Sequence, residues 1–395
     1  MPDRSPASAA VPRDPGRART ALFTVLVTVA LVIGGLITAL VLLSVGASDA
    51  LVVATVLAAI PVGPVLAIYL WLDRYEPEPR RLLALGFGWG ALVATSVAII
   101  FQAFDQALVG RPEADSATIV APVVEEAAKG AFVGLMVWLR RRDLDGVLDG
   151  LVYAGFVGIG FAFTENILYL SAAYLGEDGG GGGIGSAVGL FVLRGLISPF
   201  AHPLFTSFIG IGFGLAVTAR SGAVRRLAPI AGYVLAVIAH MLWNSSAIYG
   251  GASGFFGTYV VVMLPAFAVL VALAVWARRR EKRMLLASLE DAASRGLLDA
   301  REVPWLVHLD GRKAMRQHAR RVGGSGARDA TEHYQQLAVR FGFLHHRVMR
   351  GNPPRDGRER GARLLAQMQR VRPSVRFPGD DRPAAPPHRE TAGGW

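Results

Sequence analysis

The sequence contains no cysteine among its 395 residues. This absence excludes a cysteine nucleophile, a metal site built from thiolates and any disulfide bond. Because reducing and oxidising compartments both accept a chain without cysteine, the absence leaves the compartment open.

Charged side chains are scarce in the first two thirds of the chain. Residues 1–277 carry 16 Lys and Arg against 17 Asp and Glu, whereas residues 278–395 carry 25 against 13. Hydrophobic residues make up 52% of the sequence and the mean hydropathy is +0.40, which is too high for an ordinary soluble protein. The composition therefore predicts a membrane-embedded body followed by a basic tail.

Apolar runs of about 20 residues, the length that crosses a bilayer as a helix, recur along this body. We predict about eight spans, at residues 21–45, 50–72, 82–104, 118–139, 147–172, 187–219, 227–249 and 255–277. The first run is longer than the ~7–15-residue core of a signal peptide, so we interpret it as an uncleaved span. The sixth run is too long for one straight helix, and Pro199 and Pro203 within it predict a kink or a break.

The loops between the spans alternate in charge. Arginines precede the first span and follow the second, fourth, sixth and eighth, whereas the other loops carry mainly acidic or small residues. By the positive-inside rule, both termini are cytoplasmic and the protein is a multi-pass protein of the cell membrane. The predicted fold is an all-α integral membrane protein with a cytoplasmic N-terminal segment (1–20), a transmembrane domain (21–277) and a basic cytoplasmic tail (278–395).

The tail is predicted to be helical near residues 281–297 and 330–348 and to end in a disordered Pro- and Arg-rich segment from Asn352 onward. Its basic residues next to the last span favour contact with anionic lipid. No recognised nucleic-acid-binding motif accompanies them, so we expect no nucleic acid partner. The tail histidines are scattered without ligand-like spacing, which predicts solvated positions for His308, His318, His333, His345, His346 and His388.

Five ionisable side chains lie inside the apolar body: Glu125, Glu126, Glu165, His202 and His240. A charged side chain at the bilayer centre costs about 2.5–3.5 kcal/mol even on insertion scales, so such residues are rarely idle. With the predicted orientation and a rise of ~1.5 Å per residue, all except His202 lie roughly 10–13 Å below the outer surface. The sequence therefore predicts a polar cluster in the outer half of the bilayer.

The spacing of nearby polar residues adds candidate supporting groups. Lys129 lies four residues after Glu125 and three after Glu126, so it can pair with either carboxylate on one helix face. Asn166 follows Glu165 directly, and Asn244 lies four residues after His240 on one face. A single Glu–Lys pair or a lone histidine can also be purely structural, but three glutamates and two histidines at similar depth favour a functional site.

Some protease motifs are absent, and other segments carry a resemblance. The His-Glu-x-x-His of zinc metalloproteases does not occur in the chain. Five segments follow one another in order: Asp73-Arg74-Tyr75-Glu76-Pro77-Glu78-Pro79, Glu125-Glu126-Ala127-Ala128-Lys129, Phe161-Ala162-Phe163-Thr164-Glu165-Asn166, His202 between Pro-Phe-Ala and Pro-Leu-Phe-Thr, and His240-Met241-Leu242-Trp243-Asn244. Together, over residues 70–250, they resemble the motifs of the PrsW family of intramembrane proteases.

The resemblance implies an intramembrane endopeptidase that hydrolyses a peptide bond of a membrane-anchored protein substrate near the outer leaflet. The founding bacterial members of the family cut anti-sigma factors, so an anti-sigma factor is one expected substrate. The implied catalytic residues are Glu125, Glu126, Glu165, His202 and His240, and the implied supporting residues are Lys129, Asn166 and Asn244.

Two mechanisms and two other functions stay open at this point. Glu126 or Glu125 can serve as general base on water with the histidines as oxyanion donors, or His202, His240 and Glu165 can hold a divalent metal such as zinc. The family's wider group includes CAAX endopeptidases and the non-catalytic Aph-1, so a membrane scaffold without catalytic activity is an alternative function. Buried Glu and His chains also suit an ion or proton transporter, although no internal repeat is visible.

Overall fold

The structure is a computed structural model, and it describes residues 15–177, 179, 181–351, 354 and 356–379. The residues before 15, Asn352, Pro353 and the residues from 380 onward, the last part of the segment predicted to be disordered, lie outside the described residues. The described chain is helical and contains no β-strand. It divides into two compact units, one of residues up to Trp71 with Glu78–Ala272, the other of Leu72–Pro77 with the residues from Leu273 onward.

The helices of the first unit follow the predicted apolar runs. They are α1 (Pro15–Ser44), α2 (Ser48–Ala59), α3 (Val62–Leu72), α4 (Arg80–Gly88), α5 (Thr95–Phe104), α6 (Glu113–Asp115), α7 (Ala121–Leu139), α8 (Val147–Leu175), α9 (Gly183–Phe191), α10 (Ala201–Thr218), α11 (Gly222–Ile248), α12 (Gly251–Thr258) and the start of α13 (Leu264–Ser294). Wider π-helical turns continue several of these helices, at Trp89–Ala94, Asp105–Val109, Ser116–Val120, Val192–Ile197 and Tyr259–Met263.

Seven helical stretches in the described part of the chain are long and apolar enough to cross a membrane. They are Ala18–Ser44, Ser48–Leu72, Arg80–Val109, Val147–Leu175, Gly183–Thr218, Gly222–Ile248 and Gly251–Ser294. The remaining predicted span, 118–139, is present as α7, but its 19 residues include Glu125, Glu126 and Lys129, which make it too charged to qualify by composition. The predicted all-α integral membrane fold is confirmed.

The predicted break in the sixth span is also confirmed. The helix passes from α9 through the π-helical turn Val192–Ile197, stops at Ser198–Phe200, and resumes as α10 at Ala201. Pro199 lies in this break, and Pro203 lies in the first turn of α10, where its missing N–H costs no helical hydrogen bond. The break brings Arg194 and His202 to the same glutamate, as described below.

Helix α8 is buried over most of its length, and glycines allow its neighbours to approach closely. A Cβ at Gly150 would lie 2.1 Å from the carbonyl oxygen of Gly210 on α10. A Cβ at Gly158 would lie 2.8 Å from the Cα of Pro203. Small residues at such crossings let two membrane helices pack backbone to backbone. Gly158 therefore lets the start of α10, with His202, lie against α8.

The second unit contains the end of α13, then α14 (Val303–Val307), α15 (Leu309–Met349) and α16 (Gly357–Val371). Gly324 interrupts α15 with φ 71° and ψ −162°, a conformation that only glycine adopts readily. The Nε2 of Gln335 donates to the carbonyl oxygen of Arg312 over 3.2 Å, so the two arms of α15 run back along each other. Buried residues such as Leu289, Leu306 and Phe341 give this unit its own hydrophobic core.

Two predictions for the tail are wrong. The segment from Asn352 onward, expected to be disordered, contains the helix α16 (Gly357–Val371), whose Leu364 and Met368 are buried. His345, expected to be solvated, is only 4% exposed. Its Nε2 lies 2.6 Å from Asp291 Oδ2, and its ring stacks on Phe341 with a centroid separation of 5.5 Å. The prediction treated the tail as surface because its sequence is basic, and it did not foresee the packed core of α13, α15 and α16.

Candidate active site

Helix α7 supplies three buried charged side chains. The Nζ of Lys129 donates to Glu125 Oε2 over 3.2 Å and to Glu126 Oε1 over 2.9 Å. Both pairs have the i,i+4 and i,i+3 spacing expected from the sequence. Lys129 and Glu126 are fully buried, and Glu125 is 3% exposed. The ammonium group also lies 3.6 Å from the centre of the Phe161 ring on α8, so it is enclosed by two helices.

His202, at the start of α10, connects α7 to α8. Its Nδ1 lies 3.2 Å from Lys129 Nζ and its Nε2 lies 2.7 Å from Glu165 Oε2. An ammonium group can only donate, so Nδ1 accepts. The hydrogen then belongs on Nε2, which donates to the Glu165 carboxylate. This assignment, made from the network, gives a neutral His202 held between a cation and an anion.

His240 on α11 is the opposite tautomer of His202. Its Nδ1 lies 3.1 Å from Glu126 Oε1, and the other oxygen of Glu126 accepts from Thr206 over 3.1 Å. An ionised carboxylate only accepts, so Nδ1 carries the hydrogen and Nε2 presents its lone pair. That Nε2 is buried without a hydrogen-bond partner among the described residues. It lies 3.9 Å from Glu125 Oε2, which leaves one open ligand position inside the cluster.

Glu165 on α8 forms the partly exposed end of the cluster. Its carboxylate forms a short ion pair with Arg194 as well as the hydrogen bond from His202. The Nε of Arg194 donates to Asn166 Oδ1 over 2.7 Å. Side-chain exposure is 15% for Glu165 and 24% for Arg194, against zero for Lys129.

The structure joins the five candidate catalytic residues and Lys129 into one network of contacts, and Asn166 joins it through Arg194. Asn244 does not join the network, because its Nδ2 donates to the carbonyl oxygen of Ala117 over 2.9 Å. Sequence reasoning noted the four-residue spacing of Arg194, Ser198 and His202 but placed neither Arg194 nor Thr206 in the site. Thr206 could have been found four residues after His202 on one helix face, whereas Arg194 reaches the site only because the helix breaks after it.

The types of donor suit a divalent metal, but Lys129 and Glu165 engage both nitrogens of His202, so a bound metal would have to replace one of these contacts. One ligand atom each from Glu125, His202 and His240 lies within 4.8 Å of the other two. Two imidazoles and a carboxylate are a donor set that zinc accepts. The Glu126 contact to His240 Nδ1 is the carboxylate–histidine arrangement that orients metal-binding imidazoles. The carboxylate of this candidate metal site is Glu125, whereas the sequence predicted Glu165. Glu165 instead pairs with Arg194 and His202.

These helices and this network define a multi-pass membrane protein that buries carboxylates, imidazoles and an ammonium group in one site. A family model described as the PrsW family intramembrane metalloprotease matches residues 78–270. The resemblance stated from the five sequence segments is therefore confirmed, and residues 78–270 form a region of the PrsW family.

Curated relatives named Protease PrsW share this region. The chain is 31% identical to the protein of Geobacillus kaustophilus (strain HTA426) over 161 residues, which is 40% of this chain and 65% of that relative. It is 27% identical to the protein of Oceanobacillus iheyensis over 225 residues, 55% of this chain and 93% of the relative. The protein of Bacillus subtilis (strain 168) is 27% identical over 164 residues, 41% of this chain and 69% of the relative. No solved structure matches the chain.

Proposed function

We propose that the protein is an intramembrane endopeptidase that cleaves a membrane-anchored protein near the outer leaflet. The observation that carries this proposal is the open ligand position beside Glu125. A buried imidazole nitrogen with no partner, 3.9 Å from a carboxylate oxygen, is suited to hold a water molecule that donates to both. Family membership supports peptide hydrolysis as the reaction.

Glu125 is the better candidate for the general base. Glu126 accepts from three donors, Lys129, His240 and Thr206, so its lone pairs are engaged. Among the described hydrogen bonds of the site, Glu125 accepts from Lys129 alone. In the proposed reaction, Glu125 takes a proton from water while the water oxygen bonds to the scissile carbonyl carbon. The carbon–nitrogen bond then breaks, and Glu125 returns the proton to the leaving amine.

The positive charge of Lys129 lies next to the position where the carbonyl oxygen becomes negative. A preorganised charge in a site that excludes water stabilises such an oxyanion without reorganisation. Glu126 holds both Lys129 and His240 in place. If a divalent ion binds, Glu125, His202 and His240 would hold it, and the ion would supply Lewis-acid polarisation of the reacting oxygen.

The test uses the purified full-length protein in liposomes with a tagged single-span substrate, such as a membrane-anchored anti-sigma factor. We expect the wild type to cleave, and Glu125→Gln, Glu126→Gln and His240→Ala to abolish cleavage. The variant Glu113→Gln, at an exposed position in the short helix α6, should cleave like the wild type. Cleavage that survives all three site substitutions contradicts the proposal, and a wild type inert towards every substrate favours a scaffold or transporter.

Metal analysis separates the two forms of the mechanism. A metal-dependent site loses cleavage on chelation, regains it with zinc and carries a stoichiometric metal that Glu125→Gln and His240→Ala remove. A glutamate-only site keeps its activity in chelator and carries no metal. The same preparations measured by elemental analysis give the answer without relying on activity.

We propose that both termini are cytoplasmic in the cell membrane, in agreement with the charge of the loops. Because the chain has no cysteine, single cysteines can be introduced into the wild type. Gly179→Cys and Ser221→Cys, both at exposed positions, should react with a membrane-impermeant maleimide from opposite sides of the membrane. Labelling of both from the same side contradicts the proposed orientation.

We also propose that the basic start of the tail contacts anionic lipid. Arg279, Arg280 and Arg283 are exposed on α13 directly after its apolar part, and such juxtamembrane cations gain about 1 kcal/mol each near an anionic surface. Replacing all three with glutamine should reduce the enrichment of phosphatidylglycerol among co-purified lipids. Unchanged enrichment contradicts this contact.

A further inference from the structure

Glu125 and His240 are closed off from both water and lipid. Glu125 is 3% exposed and His240 is fully buried. A peptide bond cannot reach either group while the surrounding helices stay in place, so cleavage at this site requires one of them to move aside. Elements that open in this way are those with the fewest buried contacts. The packing of each helix around the site therefore indicates which one moves.

The helices that carry the site are packed too closely to separate. A Cβ at Gly150 on α8 would lie 2.1 Å from a carbonyl oxygen of α10, and one at Gly212 on α10 would lie 2.4 Å from a carbonyl oxygen of α11. Crossings this close bring the helix backbones into contact. Thr206 on α10 also donates to Glu126 on α7. Helices α7, α8, α10 and α11 therefore form a fixed frame around the site.

The last span, residues 251–272 of the final membrane-crossing stretch, is attached to this frame differently. A Cβ at Gly257 would meet nothing within 4 Å, and Val261 and Val269 are largely exposed. Among the described side-chain hydrogen bonds, only that of Tyr259 joins this span to another helix. The last span can therefore move at a smaller cost than any helix of the frame.

Two contacts of the last span lie at the break that precedes α10. The hydroxyl of Tyr259 donates to the carbonyl oxygen of Ile197 over 2.7 Å. The ring of Phe267 lies 4.7 Å from the ring of Phe200, centre to centre. Because Phe200 is two residues before His202, both contacts are next to the point where α10 enters the site.

A third contact of the last span lies on α11. The ring of Phe255 packs against Trp243 with a centroid separation of 4.8 Å, and Trp243 is three residues after His240. The rings of His202 and His240 lie 5.1 Å apart. The last span therefore bridges the start of α10 and α11 close to the two histidines of the site.

The hydrogen bond to Ile197 determines what can open the span. This carbonyl group lies at the end of a broken helix, where backbone oxygens have no partner in a following turn. Inside a bilayer, a backbone group without a hydrogen-bond partner is strongly unfavourable. If Tyr259 moves away, the oxygen of Ile197 therefore needs another donor. The backbone N–H groups of an unwound peptide are donors of this kind.

We propose that the last span is a gate in the plane of the membrane, and that the broken segment 197–200 is where the unwound chain of a membrane-anchored substrate binds. Gly251, between α11 and α12 with φ 56°, is the hinge. Tyr259 is the latch, and it leaves Ile197 as a backbone N–H of the substrate takes its place. The gate rests on the proposed function of the site, which supplies the substrate.

A reversible bridge tests whether the gate must open for cleavage. Because the chain has no cysteine, Phe200→Cys with Phe267→Cys places one pair of thiols in the full-length protein. A short bis-methanethiosulfonate reagent joins the two thiols, and a reductant releases them. We expect the bridged protein to lose cleavage and the reductant to restore the rate that the double variant has before bridging. The same reagent on Phe267→Cys alone is the control. A bridged protein that cleaves as fast as the reduced one overturns the gate.

Distances between spin labels test the gate without a substrate. Val269→Cys on the last span and Leu215→Cys on α10 place the labels at exposed positions. Removing the latch with Tyr259→Phe should add a population with a longer distance in pulsed electron paramagnetic resonance. Tyr233→Phe is the matched control, because its hydroxyl also donates to a backbone carbonyl, that of Val123 over 2.9 Å, but joins α11 to α7 within the frame. It should leave the distances unchanged.

The two measurements separate the gate from the proposed reaction. A longer distance in Tyr259→Phe, in a protein that cleaves no substrate, supports the gate and contradicts the proposed function. Cleavage that continues in the bridged protein contradicts the gate and leaves the proposed function intact. Unchanged distances in Tyr259→Phe also overturn the gate.

Discussion

Two buried carboxylates, one in each unit, differ in how completely their oxygens are engaged. In the second unit, Glu302 accepts from Arg372 at one oxygen over 2.5 Å and from Tyr334 at the other. In the first unit, Glu125 accepts from Lys129 and lies beside the open nitrogen of His240. A polar group whose partners are all present stabilises a fold, whereas one that faces an open position can bind and react.

One buried histidine from each unit can be compared in the same way by the contacts it makes. His345 directs Nε2 to Asp291 at 2.6 Å, and the contact joins two helices of the tail. His240 uses Nδ1 to bind Glu126 and leaves Nε2 without a partner in the described part of the chain. We therefore expect substitutions in the site of the first unit to reduce cleavage and those in the second unit to leave cleavage unchanged.

The largest difference is expected for the two cations. Lys129→Met leaves two fully or nearly fully buried carboxylates without a counter-charge, which costs about 3–5 kcal/mol in comparable cases. Cleavage should be lost as well. Arg372→Met removes a partner that is 33% exposed from a carboxylate that is 7% exposed. Because Glu302 keeps its hydrogen bond from Tyr334, the loss should be smaller, about 1–3 kcal/mol. Denaturant unfolding in mixed micelles measures the free energy of unfolding of both variants. Equal losses of unfolding free energy would contradict the expected difference between the two cations.

The next largest effect concerns the histidines. His240→Ala should lower the cleavage rate by about 100-fold or more, in the range of general acid–base and oxyanion contributions. His345→Ala should leave the rate within twofold and destabilise the second unit by about 1–3 kcal/mol, because a buried hydrogen bond to a carboxylate is lost. Initial cleavage rates and unfolding curves of the two variants test these expectations. A cleavage defect in His345→Ala would contradict the expected difference between the two histidines.

A smaller effect is expected at Gly158. An alanine Cβ there meets Pro203 Cα at 2.8 Å, so α10 must shift away from α8 and carry His202 with it. A shift of this kind should reduce the cleavage rate by about 10-fold or more. Gly189→Ala on α9, where nothing lies within 4 Å of the added Cβ, is the control and should be neutral. Equal rates in both variants would show that the position of His202 tolerates movement.

The smallest effect is a pH dependence of the second unit. Burial raises the pKa of Glu302 above its usual value of 4.5, although Tyr334 and Arg372 act against it. The folded unit therefore binds this proton more tightly than the unfolded chain, and the stabilisation present below pH 4.5 is lost as the pH rises through the raised pKa. Hydrogen exchange of α15 in the full-length protein, corrected for intrinsic rates, should show this slope. Glu302→Gln should flatten it, while Glu359→Gln at an exposed position should not.

Much of the membrane unit could be predicted from the sequence because bilayer physics acts through length and composition. Runs of about 20 apolar residues marked the helices, and Pro199 marked the break in the sixth span. The i,i+3 and i,i+4 spacing of Lys129 foretold its two carboxylate partners. These features are local, so one segment at a time is sufficient to see them.

The rest depends on contacts between distant segments. Arg194 reaches Glu165 only through the geometry of the break, and Asn244 turns to Ala117 because α11 packs beside the turn before α7. The folded tail was missed for the same reason: His345 and Asp291 are 54 residues apart. Local spacing indicates which residues share a helix face, and only packing decides what that face meets.

One measurement tests the central claim most directly. Initial cleavage rates of a tagged single-span substrate in liposomes are compared for the wild type, Glu125→Gln and Glu302→Gln, with the products mapped by mass spectrometry. We predict that Glu125→Gln loses at least about 100-fold in rate while Glu302→Gln stays within twofold of the wild type. Cleavage by Glu125→Gln at the wild-type rate and the same bond would contradict the assignment of this buried cluster as the peptide-cleaving centre.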